Sequence, residues 1–398
     1  MPRPILATID TEALSHNLRT VADRLQQDVP QGNAGVPQVS LTPAQGGLGI
    51  AQPWVRPEAA PFIWAVIKAR GYGHGIEAAL AGFGEADGLA MLDLEEAVRC
   101  RELGWTGPLL LLEGFFEPDD LDALVHYRIG TALHCAEQLA MLESSSAARQ
   151  IDAFVKLNTG MHRLGFQPHE FRAAHERALA LQADGVLGQV GAMTHFARAD
   201  DDAAVTKAQI DCFLQATEGL SGPVSLCNSA ATLTPGLAAG LAAGPQWVRP
   251  GICLYGASPF ADQPADSFGL RPAMTLSAQL ISVHRVPAGE SVGYGHTFRA
   301  PQDMRVGIVA CGYADGYPRH AATGTPITVG GVATRLVGRV SMDMLAVDLG
   351  PVPGAVVGTP VVLWGQGGPS VDEVAAACGT IGYELLTAVT PRVPRRVL

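Results

Sequence analysis

At 398 residues, with 47% hydrophobic and 16% charged residues, the chain is longer than one average domain and has the composition of a folded protein with a large core. Its formal charge of −11, from 27 basic and 38 acidic residues, argues against general affinity for nucleic acid or an anionic membrane, both of which need basic surface. Seven cysteines (Cys100, Cys135, Cys212, Cys227, Cys253, Cys311 and Cys378) are scattered, odd in number and never in a CxxC pair, which fits neither a disulfide framework nor a metal site. The opening MPRPILATIDTEAL has no apolar stretch behind a basic segment, and runs such as PLLLLEG are too short to span a bilayer. A soluble protein of the cytoplasm is expected.

In chain order, Ile5–Ile9 reads as a strand. Asp10 or Thr11 then serves as an N-cap, and Leu14, Leu18, Val21 and Leu25 follow at helical spacing. Residues 29–60 are rich in Gly, Pro and Gln and read as a surface insertion. Eight candidate strands come next: Phe62–Ala69, Gly88–Leu92, Pro108–Leu112, Thr131–Cys135, Ala153–Asn158, Gly188–His195, Val224–Asn228 and Gln246–Arg249. Helical patterns such as Leu94–Leu103, Pro118–Tyr127, Pro168–Leu181 and Asp202–Leu220 lie between them. Eight strands each followed by a helix fit a closed (β/α)8 TIM-type barrel better than an open sheet, although periodicity alone permits both.

Polar residues stand at or just past the ends of these runs: Lys68, Glu113, His134, Lys156, His195, Ser229 and Arg249. In a barrel, that rim is where active sites are built. After about residue 272 the texture changes to alternating segments, Thr275–Val286, Arg305–Cys311, Pro326–Val329 and Pro360–Trp364, separated by Gly/Pro turns, with one helical pattern at Val371–Cys378. This predicts an α/β chain with a barrel over 13–271 and a mostly-β domain over 272–398.

In WAVIKARGYGHG, Lys68 ends a buried-looking strand ahead of a Gly-rich turn containing Tyr72. A lysine there either snorkels to the rim as a structural residue or, desolvated, forms a Schiff base with an aldehyde cofactor. Composition does not decide between them.

The motif text does. AVIKARGYGHG resembles the cofactor-lysine signature of the alanine racemase family, usually AVVKANAYGHG, with departures at Arg70 and Gly71. VKLNTGMHRLGF, MTHFA, NSAAT, VRPGICLYG, VGYGHTF, GYADGYPR, GRVSMDM and the terminal GYE and TPRVPR match the same family in the same order, over nearly the whole chain outside 29–60. The resemblance implies a barrel that binds pyridoxal 5'-phosphate, a C-terminal β domain joined by an N-terminal strand at 1–12, and a homodimer with shared active sites. Lys68 would be the Schiff-base lysine. Tyr72, Ser229, the backbone of Gly251 and Ile252, and Tyr383 would hold the phosphate, with His195 beside the pyridine ring. Arg249 would face the ring nitrogen. A guanidinium only donates, so it would keep that nitrogen unprotonated.

Racemisation needs an acid/base on each face of the α-carbon. Lys68 would serve one face, and Tyr294, reaching in from the partner subunit, the other. Arg163 and Met342 match substrate-recognition positions, and Tyr313 and Tyr383 the aromatic gate. Lys156 matches a lysine carbamylated in many members, but Asn158 stands where many carry Asp, which leaves that modification open. Asp315 and Asp343 read as structural or entrance-lining.

The expected function is therefore alanine racemisation, making or consuming D-alanine, whether for peptidoglycan or in catabolism. A broader-specificity racemase of serine, lysine or arginine and a non-catalytic pyridoxal-phosphate-binding protein are the alternatives. The former typically has an export signal and an altered gate. The latter lacks a second domain.

Overall fold

The computed structural model describes residues 3–28, 60–144, 150–238, 241 and 244–398. The Gly/Pro-rich insertion expected at 29–60 lies, but for residue 60, outside the described residues.

The chain opens with β1 (Ile5–Ile9) and the helix Thr11–Gln27, capped by the Asp10 carboxylate, which accepts the Ala13 N–H at 3.0 Å. The eight barrel strands are β2 (Phe62–Val66), β3 (Gly88–Met91), β4 (Leu109–Leu111), β5 (Gly130–Leu133), β6 (Ile151–Lys156), β7 (Leu187–Met193), β8 (Val224–Ser225) and β9 (Trp247–Val248). All pair in parallel in the order β8-β7-β6-β5-β4-β3-β2-β9, and a parallel bridge from Val224 to Gln246 closes the circle. The strands are mostly apolar because both faces are largely buried, one in the barrel and one under helices, with Asp152 and Gln189 exposed near the starts of β6 and β7. An alternating pattern would have exposed one face.

The β-rich half contains β10 (Met274–Val286), β11 (Ser291–Val292), β12 (Phe298–Arg299), β13 (Met304–Val309), β14 (Pro326–Val329), β15 (Val332–Arg335), β16 (Leu345–Asp348), β17 (Pro360–Trp364) and β18 (Arg395–Val397). β1 lies in this sheet, antiparallel to β10 and parallel to β18, so both chain ends meet there. One hydrophobic core runs through both halves. A smaller cluster of Val292, Val306, Val337 and Ala346 supports the β11–β12 hairpin. Among the described residues, no helix is long and apolar enough to cross a membrane.

The first helix is docked by close approach: a Cβ on Gly82 would sit 2.4 Å from the Leu14 Cβ. Gly82→Ala should overpack that contact and lower stability by about 1–3 kcal/mol. An unchanged thermal midpoint would show that the first helix can shift freely on the barrel.

Candidate active site at the barrel mouth

The expected strand Phe62–Ala69 stops at Val66, for a conformational reason. Ala69, Arg70 and Gly71 have φ of 54°, 55° and 61° with ψ of 50° each, and Tyr72 has φ 49°. The segment Lys68–Tyr72 is thus a left-handed turn, which costs roughly 1–2 kcal/mol for each residue carrying a Cβ. Hydrogen bonds hold it: Gly71 N–H to Ile67 O at 2.7 Å, Gly73 N–H to Ala69 O at 3.0 Å and Gly75 N–H to Arg70 O at 2.8 Å. The Glu96 carboxylate accepts the Arg70 N–H at 2.7 Å. Strain over-determined in this way is characteristic of functional sites. Here it puts Lys68 at the head of the turn and Tyr72 at its foot.

The chain has three lysines, Lys68, Lys156 and Lys207. Lys207 is exposed and paired with Asp211 at 2.6 Å. The other two share the barrel mouth. Burial, then Arg163 and Arg249, push the Lys68 amine below its ordinary range, while Glu113 opposes the shift. Lys156 is pushed down to about 8 by burial and by Arg249 and Arg163. Four cationic side chains thus face one carboxylate, Glu113. Such a mouth attracts anions.

Arg249 follows β9 and is buried. It donates to the Thr194 carbonyl at 2.6 Å, the Ser225 Oγ at 2.5 Å and the Leu226 carbonyl at 3.2 Å, and its Nη2 lies 3.4 Å from His195 Nδ1. Burial lowers its pKa to about 10, so it stays charged at neutral pH. Burial and Arg249 also push His195 well below its ordinary value, leaving a neutral imidazole.

A third group converges around Gly251. Its N–H donates to Ser229 Oγ at 2.8 Å, and a Cβ placed on it would meet the Tyr72 hydroxyl at 2.2 Å. The Tyr72 ring stacks on Tyr255 at 4.6 Å and lies 6.1 Å from the Tyr383 ring. Ile252 opens the buried 3-10 turn Ile252–Tyr255 behind them. Burial raises the pKa of both Tyr72 and Tyr383, so these hydroxyls remain donors. Hydroxyls and backbone amides of this kind suit a phosphate without any basic cluster.

The remaining sequence-predicted residues are placed differently. Arg163 is exposed at the mouth and lines a small pocket with Lys156 and His195. Asn158 makes its side-chain hydrogen bonds within its own loop. Its Oδ1 accepts the Gly160 and His162 N–H groups and its Nδ2 meets His162 Nδ1. Tyr294 sits on the turn between β11 and β12, 72% exposed, and Met342 is 53% exposed. Tyr313 is half-buried on the turn Tyr313–Asp315, whose N–H groups bond to Ser341 O and Met342 O at 3.0 and 2.9 Å. Within one chain, the groups acting on the Lys68 amine all come from the barrel. Sequence reasoning gave Glu113 no partner and did not find Thr194, Ser225 or Tyr255. A serine within the apolar run PVSLC was the one available signal.

Two sequence families match, described as "Alanine racemase, N-terminal domain" over residues 54–259 and "Alanine racemase, C-terminal domain" over 273–397. The chain belongs to the alanine racemase family. An alanine racemase from Bordetella avium is 62% identical over 397 residues, covering 100% of this chain and 99% of that one. One from Bordetella petrii is 60% identical, covering 99% of each. The crystal structure of biosynthetic alanine racemase from Pseudomonas aeruginosa superposes with a TM-score of 0.86 at 43% identity, over 100% of this chain and 99% of that one.

The lowered Lys156 has a measurable consequence for this racemase-family chain. A lysine whose folded pKa lies below its unfolded value binds its proton less readily when folded. Its contribution to stability is therefore unfavourable below about 8 and recovers as pH rises from there towards roughly 10.4. Lys156→Met should flatten that part of the stability–pH curve. An identical slope in the variant would place the Lys156 amine in water.

Proposed function

We propose that this protein interconverts L-alanine and D-alanine using pyridoxal 5'-phosphate, as a cytoplasmic homodimer. Four cations around one carboxylate at the barrel mouth support this function most directly. A bound phosphate, a phenolate oxygen and a substrate carboxylate would balance that charge. The residues fit the cofactor. Tyr72, Ser229, Gly251, Ile252 and Tyr383 form the phosphate cradle, which a Cβ at Gly251 would fill. Lys68, with its lowered pKa, supplies an amine that can attach to the aldehyde. When bound, the cofactor withdraws electrons from the α-carbon and makes its proton removable.

The chain's residues do the rest. Lys68 Nζ would hold or remove the proton on one face. The Tyr294 Oη serves the other. Its exposure on a hairpin of the β-rich half is what a group delivered to a neighbouring subunit requires. Arg249, charged and held by three acceptors, would donate to the ring nitrogen and so disfavour its protonation, and the neutral His195 would border the ring. Arg163 holds the substrate carboxylate, Met342 contributes its backbone, and Tyr313 and Tyr383 limit the size of the substrate side chain. The neutral amine of Lys156, half populated near pH 8, could add carbon dioxide with loss of one proton, leaving an anion to orient Arg163. Seven unpaired cysteines fit a reducing compartment.

Lys68→Ala should remove the visible absorbance of the bound cofactor; retained colour would reject the attachment site. Tyr294→Phe should lower turnover by about 10²–10⁴-fold while leaving cofactor content intact. Mixing Lys68→Ala and Tyr294→Phe chains should restore about a quarter of wild-type activity, because half the dimers are hybrids and each hybrid has one intact site. No recovery despite demonstrated subunit exchange would reject the shared site.

A further inference from the structure

The Asp315 carboxylate is fully buried, yet it lies in the β-rich half, outside the barrel mouth. Its Oδ1 receives Arg3 Nη1 at 2.7 Å and Arg392 Nε at 2.9 Å; its Oδ2 receives Arg3 Nη2 at 3.1 Å and the Gly312 N–H at 2.9 Å. Arg3 Nη2 also donates to Asp343 O at 2.6 Å, and Arg392 Nη2 to Asp343 Oδ1 at 2.6 Å. Arg3 precedes β1 and Arg392 precedes β18, so both chain ends close on one carboxylate.

That carboxylate ends the turn carrying Tyr313, and Asp343 is the residue after Met342. The two segments are joined directly as well: Tyr313 and Ala314 N–H donate to Ser341 O and Met342 O, and a Cβ on Gly312 would sit 2.4 Å from both of those carbonyls. The turn's other side is fixed by Thr390, whose N–H donates to Asp315 O at 3.1 Å and whose Oγ1 donates to Ala314 O at 2.9 Å.

We propose that Asp315, held by Arg3 and Arg392, is a positioning residue that sets the separation of Tyr313 and Met342 and thereby which amino-acid side chains the site accepts. This rests on the racemase function above, in which those two residues border the substrate. A bidentate guanidinium fixes direction as well as distance, which an apolar contact does not. Burying the Asp315 charge costs desolvation that an apolar residue would avoid, while Arg3 and Arg392 stay 37% and 39% exposed, so the network is better explained by the geometry it imposes than by stability alone.

The test uses purified holoenzyme. Arg3→Ala leaves Asp315 with Arg392 and the Gly312 N–H, so no bare buried charge results. It should raise KM for alanine about three- to tenfold with kcat within about twofold, the signature of lost uniform binding. The serine-to-alanine ratio of kcat/KM should rise at least about threefold, as a looser aperture discriminates less by size. Arg3→Lys, which keeps the charge but loses the fork, should fall between. Cofactor absorbance should be unchanged throughout. A folded Arg3→Ala with wild-type KM and wild-type serine-to-alanine ratio, or with its loss confined to kcat, overturns the proposal. Should Arg3→Ala not fold, Asp343→Ala decides, since it removes only the outer acceptor of Arg392 and leaves the Asp343 carbonyl to Arg3: the same ratio must rise. An unmoved ratio in variants of an active wild type rejects this inference alone; a wild type that does not racemise alanine rejects the parent function with it.

Discussion

The site depends on a backbone constraint, the left-handed turn that interrupts β2 after Val66. A right-handed continuation would carry Tyr72 away from Gly251. The left-handed path sets the Lys68 amine at the head of the turn and brings the Tyr72 hydroxyl against Gly251 at its foot. Three of the residues in that conformation carry side chains, Ala69, Arg70 and Tyr72, so the turn is unfavourable in isolation. It persists because neighbours hold it from several directions. Glu96 binds the Arg70 N–H, Tyr255 stacks on Tyr72, and the Gly73 backbone fits against Leu386 O so closely that a Cβ would lie 2.1 Å from it.

Charge completes what the turn begins. Burial lowers the pKa of Lys68, Lys156 and Arg249, and the charges of Arg163 and Arg249 lower both lysines further. The effect differs by residue type: the lysines bind their protons less readily, whereas Arg249 remains charged and only donates. One environment thus holds two weakened ammonium groups beside a fixed cation. His195 is left neutral beside them.

Much of this architecture is readable in the sequence because it is periodic or local. All eight barrel strands correspond to apolar runs, and the rim residues follow them. The end of β2 was not readable. AVIKA has strand composition, and only the tertiary contacts above force Ala69 and Arg70 across to positive φ. Arg249's partners were also hidden, since Ser225 and Thr194 lie on other strands and offer a hydroxyl and a carbonyl that no motif marks. The Asp315 network is the extreme case: Arg3 is 312 residues away in sequence, and only the β1–β18 pairing brings the chain ends together. Sequence patterns report local periodicity well and long-range polar pairing poorly.

The central claim is that the strained turn presents Lys68 as the cofactor's point of attachment. With three lysines in the chain, chemical trapping reads this directly. Protein incubated with pyridoxal 5'-phosphate, reduced with borohydride, digested and mapped by mass spectrometry should carry the added cofactor mass on the peptide containing Lys68. Modification confined to Lys156 or Lys207, or none at saturating cofactor, would contradict it.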